Sequence, residues 1–411
     1  MNTTIRSHAE KIIAGSIAAV LPDAAVKNAL KGREFPGRVI LVAIGKAAWQ
    51  MGQAAKRELG DVIESGIVIT KYDHVKEEIP GVVCREAGHP VPDKNSFAAT
   101  EEALALTADL KETDTVLFLI SGGGSALFES PLCSEEALEY VTSQLLACGA
   151  SIVEINTIRK RLSSVKGGRF AAHCAPAHMM TIILSDIVGD PVDMIASGPA
   201  CPDSTTCTEA MKIVDKYGLT MPNGTLELLS RETPKALDNV ETLITGSVRE
   251  LCRAAERECQ ALGYKTVVLT DYLQCEAKDA GSFLGSIART HAGDGVPMAF
   301  IAGGETVVHL RGKGKGGRNQ ELALAAAGQI AGFENTLVFS LGSDGTDGPT
   351  DAAGGIVDGF TVGKLAAAGL TVDGVLAEND AYNALAAADG LIITGPTGTN
   401  VNDVAVALIG G

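Results

Sequence analysis

The feature that most constrains the fold is an alternation of short, uniformly apolar runs with longer runs of helical periodicity. Apolar runs of this kind predict strands that are buried on both faces, which is typical of sheets covered by helices on both sides. The predicted strands are Val39–Gly45, Gly66–Thr70, Thr115–Ile120, Met180–Leu184, Leu243–Gly246, Lys265–Leu269, Pro297–Ile301, Thr336–Leu341 and Leu391–Thr394. The predicted helices are Ala47–Leu59, Ala137–Cys148, Thr208–Tyr217, Ser247–Leu262, Ala277–His291, Arg318–Ile330, Val362–Ala368 and Ala381–Ala388. The sequence therefore predicts an α/β fold with largely parallel or mixed sheets flanked by helices.

The length of the chain and a gap in this pattern predict two domains. The chain has 411 residues, enough for two or three domains of roughly 150 residues each. The periodicity is weakest over residues 222–239, which contain Pro222, Gly224 and Pro234. We therefore expect one α/β domain over residues 1–238 and a second over residues 239–411.

Charge and cysteine content exclude several classes of protein. The formal net charge is −16, and an acidic chain lacks the extended basic surface that nucleic acids and anionic membranes require. No apolar run approaches the ~18 residues of a membrane-spanning helix. The nine Cys residues include no C-x-x-C pair, which favours free thiols in a cytoplasmic protein. The sequence leaves the oligomeric state open, a homodimer included.

Two glycine-containing loops in the first half follow predicted strands, where α/β proteins bind their ligands. Lys46 comes directly after Gly45 and opens a helix, where its charge opposes the helix dipole unless an anion is bound. Ser121, Gly122, Gly123, Gly124 and Ser125 follow the strand Thr115–Ile120. Consecutive glycines expose several N–H groups, so this loop is expected to bind an anion such as phosphate. A nucleophilic serine is the alternative, although the G-x-S-x-G motif is absent.

Two further segments of the first half carry charged candidates. The stretch INTIRKRLSSVKGGRF contains several cations, most of which we interpret as a solvated helix face. Lys166, which precedes two glycines, is the exception and is expected to contact phosphate. Asp186 and Asp190 follow the strand Met180–Leu184, where carboxylates can hold Mg²⁺ or accept a proton. Turn-forming Asp residues are the alternative at these positions.

The second half contains a basic, glycine-rich loop, GKGKGG, followed by a helix that begins at Arg318. Glycines allow the backbone to approach a ligand closely, and a helix start offers N–H groups to an anion. We therefore expect Gly316 and Gly317 to bind phosphate and Arg318 to hold a carboxylate or phosphate through two parallel hydrogen bonds. A mobile, solvated loop is the alternative. Polar residues that follow two other strands are candidate substrate ligands: Asp344, Asp347, Thr397 and Asn400.

Over nearly its full length the chain resembles the class II glycerate kinases, the glycerate 2-kinase family. The resemblance is carried by GKAAWQMG, SGGGSALFESP, NTIRKRLSSVKGGRFA, LSDIVGDPVDMIASGP, GGETVVHLRGKGKGGRNQELALA, GSDGTDGPTDAAGG and TGPTGTNVNDV, in this order. It implies phosphorylation of D-glycerate, typically at the 2-hydroxyl, with ATP and Mg²⁺. It also implies two α/β domains, the first Rossmann-like, with the active site in the cleft between them. Lys46 and Arg318 match positions expected to face that site, and Asp186 is our further catalytic candidate.

Other functions remain as alternatives. Some relatives of this family carry the name hydroxypyruvate reductase. We disfavour an NAD(P)H-dependent reductase because no G-x-G-x-x-G with an acid about twenty residues further on occurs in a clear βαβ unit, and GKGKGG is too basic for one. A glycerate 3-kinase and a non-catalytic anion-binding protein are the other two alternatives.

Overall fold

A computed structural model describes residues 3–411. Its helices are α1 Thr3–Ala19, α2 Pro22–Leu30, α3 Ala48–Leu59, α4 Lys94–Leu106, α5 Gly124–Leu127, α6 Glu135–Ala147, α7 Ile152–Arg161, α8 Arg169–Cys174, α9 Cys207–Tyr217, α10 Thr225–Leu229, α11 Val248–Ala261, α12 Ala277–His291, α13 Arg318–Ile330, α14 Thr361–Ala367, α15 Val372–Ala377 and α16 Ala381–Ala387. Its strands are β1 Val39–Ile44, β2 Ile63–Lys71, β3 Val82–Ala87, β4 Thr115–Ile120, β5 His178–Leu184, β6 Val240–Gly246, β7 Lys265–Leu273, β8 Met298–Gly304, β9 Thr336–Gly342, β10 Gly354–Asp358, β11 Leu391–Ile392 and β12 Asp403–Ile409.

These elements form two compact units, which we call the N unit and the C unit. The N unit comprises residues 26–184 and 190–245. The C unit comprises residues 3–25, 185–189 and 246–411. Within residues 3–411, no helix combines the length and hydropathy needed to cross a membrane.

The N unit contains a six-stranded sheet in the order β3-β2-β1-β4-β5-β6. The neighbouring pairs β3–β2, β2–β1, β1–β4 and β4–β5 are parallel. Every residue of the two central strands, β1 and β4, is buried, as the uniformly apolar runs predict for strands covered on both faces. Because β1 and β4 are adjacent and parallel, the loops that follow them meet at one edge of the sheet.

The C unit contains a mixed six-stranded sheet in the order β11-β10-β9-β12-β8-β7. Only β7 and β8 are parallel, and the other neighbouring pairs are antiparallel. Strand β12 was absent from the predicted strands, yet it lies between β8 and β9. Its first residue, Asp403, pairs with Gly304 at the end of β8 and with Gly342 at the end of β9. The polar residues after β8 and β9 therefore lie beside the start of β12.

The structure divides the chain differently from the predicted segments 1–238 and 239–411. Helix α1 belongs to the C unit because its apolar residues, such as Ile5 and Ile12, share a hydrophobic core with Leu251 of α11. The boundary after residue 238 moves to residue 245 because β6 is the edge strand of the N-unit sheet. Residues 185–189 also group with the C unit.

Candidate active site

The loop after β1 and the loop after β4 lock together in the N unit. The Lys46 N–H donates to Gly122 O at 2.8 Å, and the Ala47 N–H donates to Ser121 Oγ at 3.0 Å. Gly45 has a φ of +112°, and a Cβ at this position would collide with Ser121. Glycine at residue 45 therefore permits the close approach of the two loops. We call residues 121–125 the glycine loop.

The side chains of Lys46 and His89 lie beside Gly123 of the glycine loop. A Cβ placed on Gly123 would lie 3.3 Å from Lys46 Cε and 3.0 Å from the ring of His89. Burial lowers the pKa of His89, and the nearby ammonium groups of Lys46 and Lys71 lower it further. The imidazole is therefore neutral at pH 7, and the positive charge beside the loop comes from lysine. Gly123 is half-buried, and glycine N–H groups next to an ammonium group suit an anion. Lys46 was predicted from the sequence as a site residue, whereas His89 was not.

The far end of the glycine loop takes part in a chain of hydrogen bonds. Ser125 Oγ lies 2.9 Å from Ser197 Oγ, and Ser197 Oγ donates to Asn156 Oδ1 at 3.0 Å. Arg159 Nη2 donates to the carbonyl oxygen of Ser125 at 3.2 Å. Ser197 and Ala196 both have positive φ angles, 62° and 52°. Ser125 thus has well-defined partners, which favours a structural role for its hydroxyl over that of a nucleophile.

The structure corrects the interpretation of the cations around α7. Lys160 and Arg161 are 1% and 0% exposed, so they do not lie on a solvated helix face. Each pairs with the buried carboxylate of Asp203. Lys166 is also fully buried, and its Nζ atom lies 3.1 Å from Glu129 Oε2. Burial lowers the pKa of Lys166 to about 8, although Glu129 opposes this shift. In this structure Lys166 bonds to its own chain and does not face solvent as a phosphate ligand would.

The two candidate metal ligands, Asp186 and Asp190, belong to different units. In the C unit, the main-chain oxygen of Asp186 accepts a hydrogen bond from Asn402 Nδ2 at 3.1 Å. In the N unit, Asp190 has a φ of 53°, and its buried Oδ1 atom has no hydrogen-bond partner among the described residues. Within residues 3–411, no group of three or more His, Cys, Asp or Glu side chains is arranged to hold a metal ion. Mg²⁺ commonly binds through only one or two carboxylates together with substrate phosphates.

Arg318 of the C unit does form a bidentate contact, but with its own chain. Its Nε and Nη2 atoms donate to the two oxygens of Asp403 at 2.6 and 3.0 Å. Its Nη1 atom donates to Glu305 Oε1 at 3.0 Å. Burial opposes ionisation of Arg318, but the Asp403 carboxylate outweighs it and raises the pKa of the guanidinium. The guanidinium has five N–H groups, so these three bonds leave two of them for a ligand. Neither Glu305 nor Asp403 was predicted from the sequence as a site residue.

The start of α13 is occupied by a carboxylate of the same unit. Asp347 accepts hydrogen bonds from the N–H groups of Asn319 and Gln320, at 3.2 and 2.9 Å. A Cβ on Gly317 would collide with Asp347, so glycine is required here for close packing within the chain. Burial raises the pKa of Asp347 to about 6 despite these two N–H donors. Two N–H groups at the start of α13, those of Asn319 and Gln320, are therefore already satisfied within the chain.

The basic loop, residues 311–317, is held against the turn between α15 and α16. Asn379 Oδ1 accepts from the N–H groups of Arg311 and Gly312, at 2.7 and 3.0 Å. The N–H of Lys315 donates to Asp380 Oδ1 at 2.9 Å. Gly316 packs against Ala381, since a Cβ atom at residue 316 would lie 3.3 Å from the Ala381 Cβ atom. The side chains of Arg311 and Lys313 are exposed, and the Lys315 ammonium lies 4.1 Å from the centre of the Tyr382 ring. The backbone hydrogen bonds favour an ordered loop over a mobile one.

The remaining candidates lie in loops of the C unit. Asp344 Oδ1 accepts a hydrogen bond from the N–H of Thr346 at 3.0 Å. A bond from an Asp side chain to the backbone two residues on stabilises a turn. Thr397 Oγ1 donates to Ser343 O at 2.6 Å, so this hydroxyl is also engaged within the chain. Asn400 Oδ1 accepts a long bond from the N–H of Asn402. Asn402 Nδ2 also lies 3.4 Å from Glu305 Oε2. Asn402, which was not predicted as a site residue, therefore contacts a carboxylate that Arg318 also binds.

Comparison with known proteins covers both halves of the chain. Residues 8–230 match a domain of unknown function, DUF4147, and residues 298–403 match the MOFRL family. The D-glycerate 2-kinase of Thermotoga maritima is 50% identical over 412 residues, with 99% of each chain covered. A putative hydroxypyruvate reductase of Agrobacterium vitis is 36% identical, covering 100% of this chain and 95% of the relative.

A solved structure supports the same relationship. The crystal structure of a glycerate kinase from Thermotoga maritima has a TM-score of 0.95, 49% sequence identity and 99% coverage of both chains. It confirms the predicted α/β fold with two sheets flanked by helices. The sequence identity, extending over the full length, together with this structural similarity, shows that the chain belongs to the glycerate 2-kinase family.

Proposed function

We propose that this protein is an ATP-dependent kinase that phosphorylates D-glycerate at its 2-hydroxyl group to give 2-phosphoglycerate. The observation that carries the proposal is the 50% identity to a D-glycerate 2-kinase over 99% of both chains. The arrangement of Lys46 beside the glycine loop supports it, because phosphoryl transfer depends mainly on positioning and on positive charge.

In the N unit, the glycine loop and Lys46 are proposed to bind the phosphates of ATP. The glycine N–H groups supply hydrogen bonds without side chains in the way, and the Lys46 ammonium supplies charge. Neutral His89 offers a hydrogen bond beside Gly123 without adding a net charge. Lys166 acts on this site indirectly, since its ammonium is buried.

In the C unit, Arg318 is proposed to contact an anionic group of the substrate through its two remaining N–H groups. Asp403 and Glu305 fix the plane of the guanidinium, so the direction of these N–H groups is set before a ligand binds. The side chain is 32% exposed, which leaves it accessible. Asp186 is proposed as the residue that accepts the proton of the glycerate hydroxyl.

Mg²⁺ is proposed as the metal ion of the reaction, and when bound it would neutralise phosphate charge. Asp190 fits such an ion in one respect, since its buried Oδ1 atom lacks a partner among the described residues. Asp186 is the other candidate ligand. The cytoplasmic location is likewise a proposal, supported by the nine cysteines, all of which are free.

The test is a coupled assay of ADP release with D-glycerate, ATP and MgCl₂, followed by NMR of the product. We expect ADP release that depends on D-glycerate and a product phosphorylated at carbon 2. A product phosphorylated at carbon 3 would contradict the regiochemistry alone. ADP release that is independent of glycerate, together with hydroxypyruvate-dependent oxidation of NADH or NADPH, would refute the kinase and support the reductase.

A further inference from the structure

Two buried charges, those of Glu129 and Lys166, and the half-buried Arg159 form a cluster behind the glycine loop that has no direct part in the proposed reaction. Glu129 is 0% exposed, and its Oε2 atom lies 3.2 Å from Arg159 Nη2 and 3.1 Å from Lys166 Nζ. Its Oε1 atom is buried without a hydrogen-bond partner in the described part of the chain. Removing charges from water costs free energy that ion pairing often fails to recover. Stability alone is therefore a poor explanation for the cluster.

Both cations also donate hydrogen bonds to main-chain oxygens, one at the last residue of the glycine loop and one three residues further on. Arg159 Nη2 donates to Ser125 O at 3.2 Å, and Lys166 Nζ donates to Phe128 O at 2.8 Å. These carbonyl groups belong to the short helix α5 and to the residue after it. The last carbonyl groups of a helix have no hydrogen-bond partners within the helix. Glu129 follows Phe128 in the sequence. Its carboxylate therefore pairs with both cations, and both cations donate hydrogen bonds to main-chain oxygens of α5 and of the residue after it.

The other end of the glycine loop is fixed independently. The bonds from Lys46 N to Gly122 O and from Ala47 N to Ser121 Oγ tie that end to the loop after β1. Between Ser121 and Ser125 lie three glycines, and glycine loses the most conformational freedom when its backbone is ordered. Such a segment keeps one conformation only if both of its ends are held.

We propose that Arg159 and Lys166, balanced by Glu129, are positioning residues that hold the glycine loop in the conformation that binds the nucleotide. The assignment to the nucleotide rests on the proposed function, whereas the positioning role rests on the contacts of the cluster. A shift in the loop of about 1 Å is enough to lower catalytic efficiency by roughly a hundredfold.

The test compares Arg159→Met with Arg159→Lys and with a matched control, Arg161→Met. Arg161 also lies on α7 and is more deeply buried than Arg159. It bonds to Thr157 O, to Thr205 and to the carboxylates of Asp203 and Glu232, and its hydrogen bonds and ion pairs go to these residues instead of α5. For Arg159→Met we expect the KM for ATP to rise about tenfold or more while the KM for D-glycerate stays within about twofold. Arg159→Lys keeps a charge and a donor and is expected to recover most of the ATP affinity. Arg161→Met is expected to lower thermal stability without a selective change in either KM.

The outcomes separate the positioning role from the proposed function. Unchanged KM values in folded Arg159→Met, or the same selective rise in Arg161→Met, would overturn the positioning role. A selective rise in the KM for D-glycerate would support positioning but refute the assignment of the loop to the nucleotide. If Arg159→Met does not fold, Glu129→Gln keeps the side-chain volume and is expected to raise the KM for ATP selectively. Wild-type KM values in that variant would overturn the proposal.

Discussion

Replacing Asn379 by glycine is expected to release the basic loop. The Asn379 side chain accepts two hydrogen bonds from the loop, from the N–H groups of Arg311 and Gly312. Its Nδ2 atom donates to Glu321 Oε1 at 2.8 Å, and Glu321 is buried in α13. The φ of Asn379 is 54°, a left-handed conformation that glycine adopts freely. Asn379→Gly therefore removes the contacts without straining the backbone.

The size of the effect follows from the two bonds to the loop. Their lengths are 2.7 and 3.0 Å. Each neutral hydrogen bond of this kind contributes about 0.5–1.5 kcal/mol to stability. Losing both makes local opening of the loop easier by about 1–3 kcal/mol, which corresponds to an open population about 5- to 150-fold larger. The bond to Glu321 affects α13 and the global stability more than it affects the loop.

Limited proteolysis with trypsin measures this opening, because the loop contains three exposed trypsin sites, Arg311, Lys313 and Lys315. When opening is fast relative to cleavage, the rate follows the open population. We expect Asn379→Gly to be cut in this loop about 5- to 150-fold faster than wild type. Asp389→Gly is the matched control, since Asp389 has a φ of 58° and has none of the loop contacts made by Asn379. Equal cleavage of wild type and Asn379→Gly would refute the idea that Asn379 holds the loop.

Three further predictions concern the charged side chains. Lys46→Ala removes the positive charge but keeps the main-chain bonds of residue 46. We expect turnover to fall at least about 100-fold while the Tm changes by no more than about 2 °C. Unchanged turnover in steady-state kinetics would assign Lys46 to the surface. Arg318→Lys cannot keep both bonds to Asp403, so kcat/KM is expected to fall about 100-fold, and near-normal kinetics would remove the need for the planar guanidinium. Lys313→Ala and Lys315→Ala are expected to lower activity only mildly and to weaken substrate capture mainly at low salt. Steady-state kinetics at two ionic strengths measure this. A large loss of activity at high salt would contradict the role of these lysines in attracting anions from solvent.

The sequence predicted the N-unit sheet better than the C-unit sheet, for physical reasons. Strands β1 and β4 are buried on both faces, so their apolar runs are distinctive. Strand β3 lies at the edge of its sheet, alternates between exposed and half-buried residues and contains Arg85 and Glu86. It therefore resembles a loop in composition. The omission of β12 has no such reason, because its run Val404–Ile409 is as apolar and as buried as β1 and β4. Its pairing with β8 and β9 shows that it lies inside the sheet.

In the candidate site, the sequence indicated where two segments come close but not which residues they bring together. Glycine at residue 45 marks such a place, because a side chain there would collide with Ser121. Local sequence does not reveal which distant residue fills the space. The carboxylate that caps α13 comes from Asp347, 27 residues beyond Gln320. Asp403, which pairs with Arg318, is separated from it by 85 residues.

The buried ion pairs explain why cations among glycines were interpreted too directly as ligand contacts. A cation in a glycine-rich segment is close to backbone that can pack tightly, and tight packing excludes the water that would otherwise solvate the charge. The chain must then supply its own counterion, as Glu129 does for Lys166 and Asp403 does for Arg318. The two cations differ in how much of the side chain a ligand can still reach. The Lys166 side chain is 0% exposed, whereas the Arg318 side chain is 32% exposed. Arg318 also retains two N–H groups that are not bonded to the chain. Exposure after pairing, more than charge or glycine content, thus distinguishes a residue that positions the site from one that can touch the substrate.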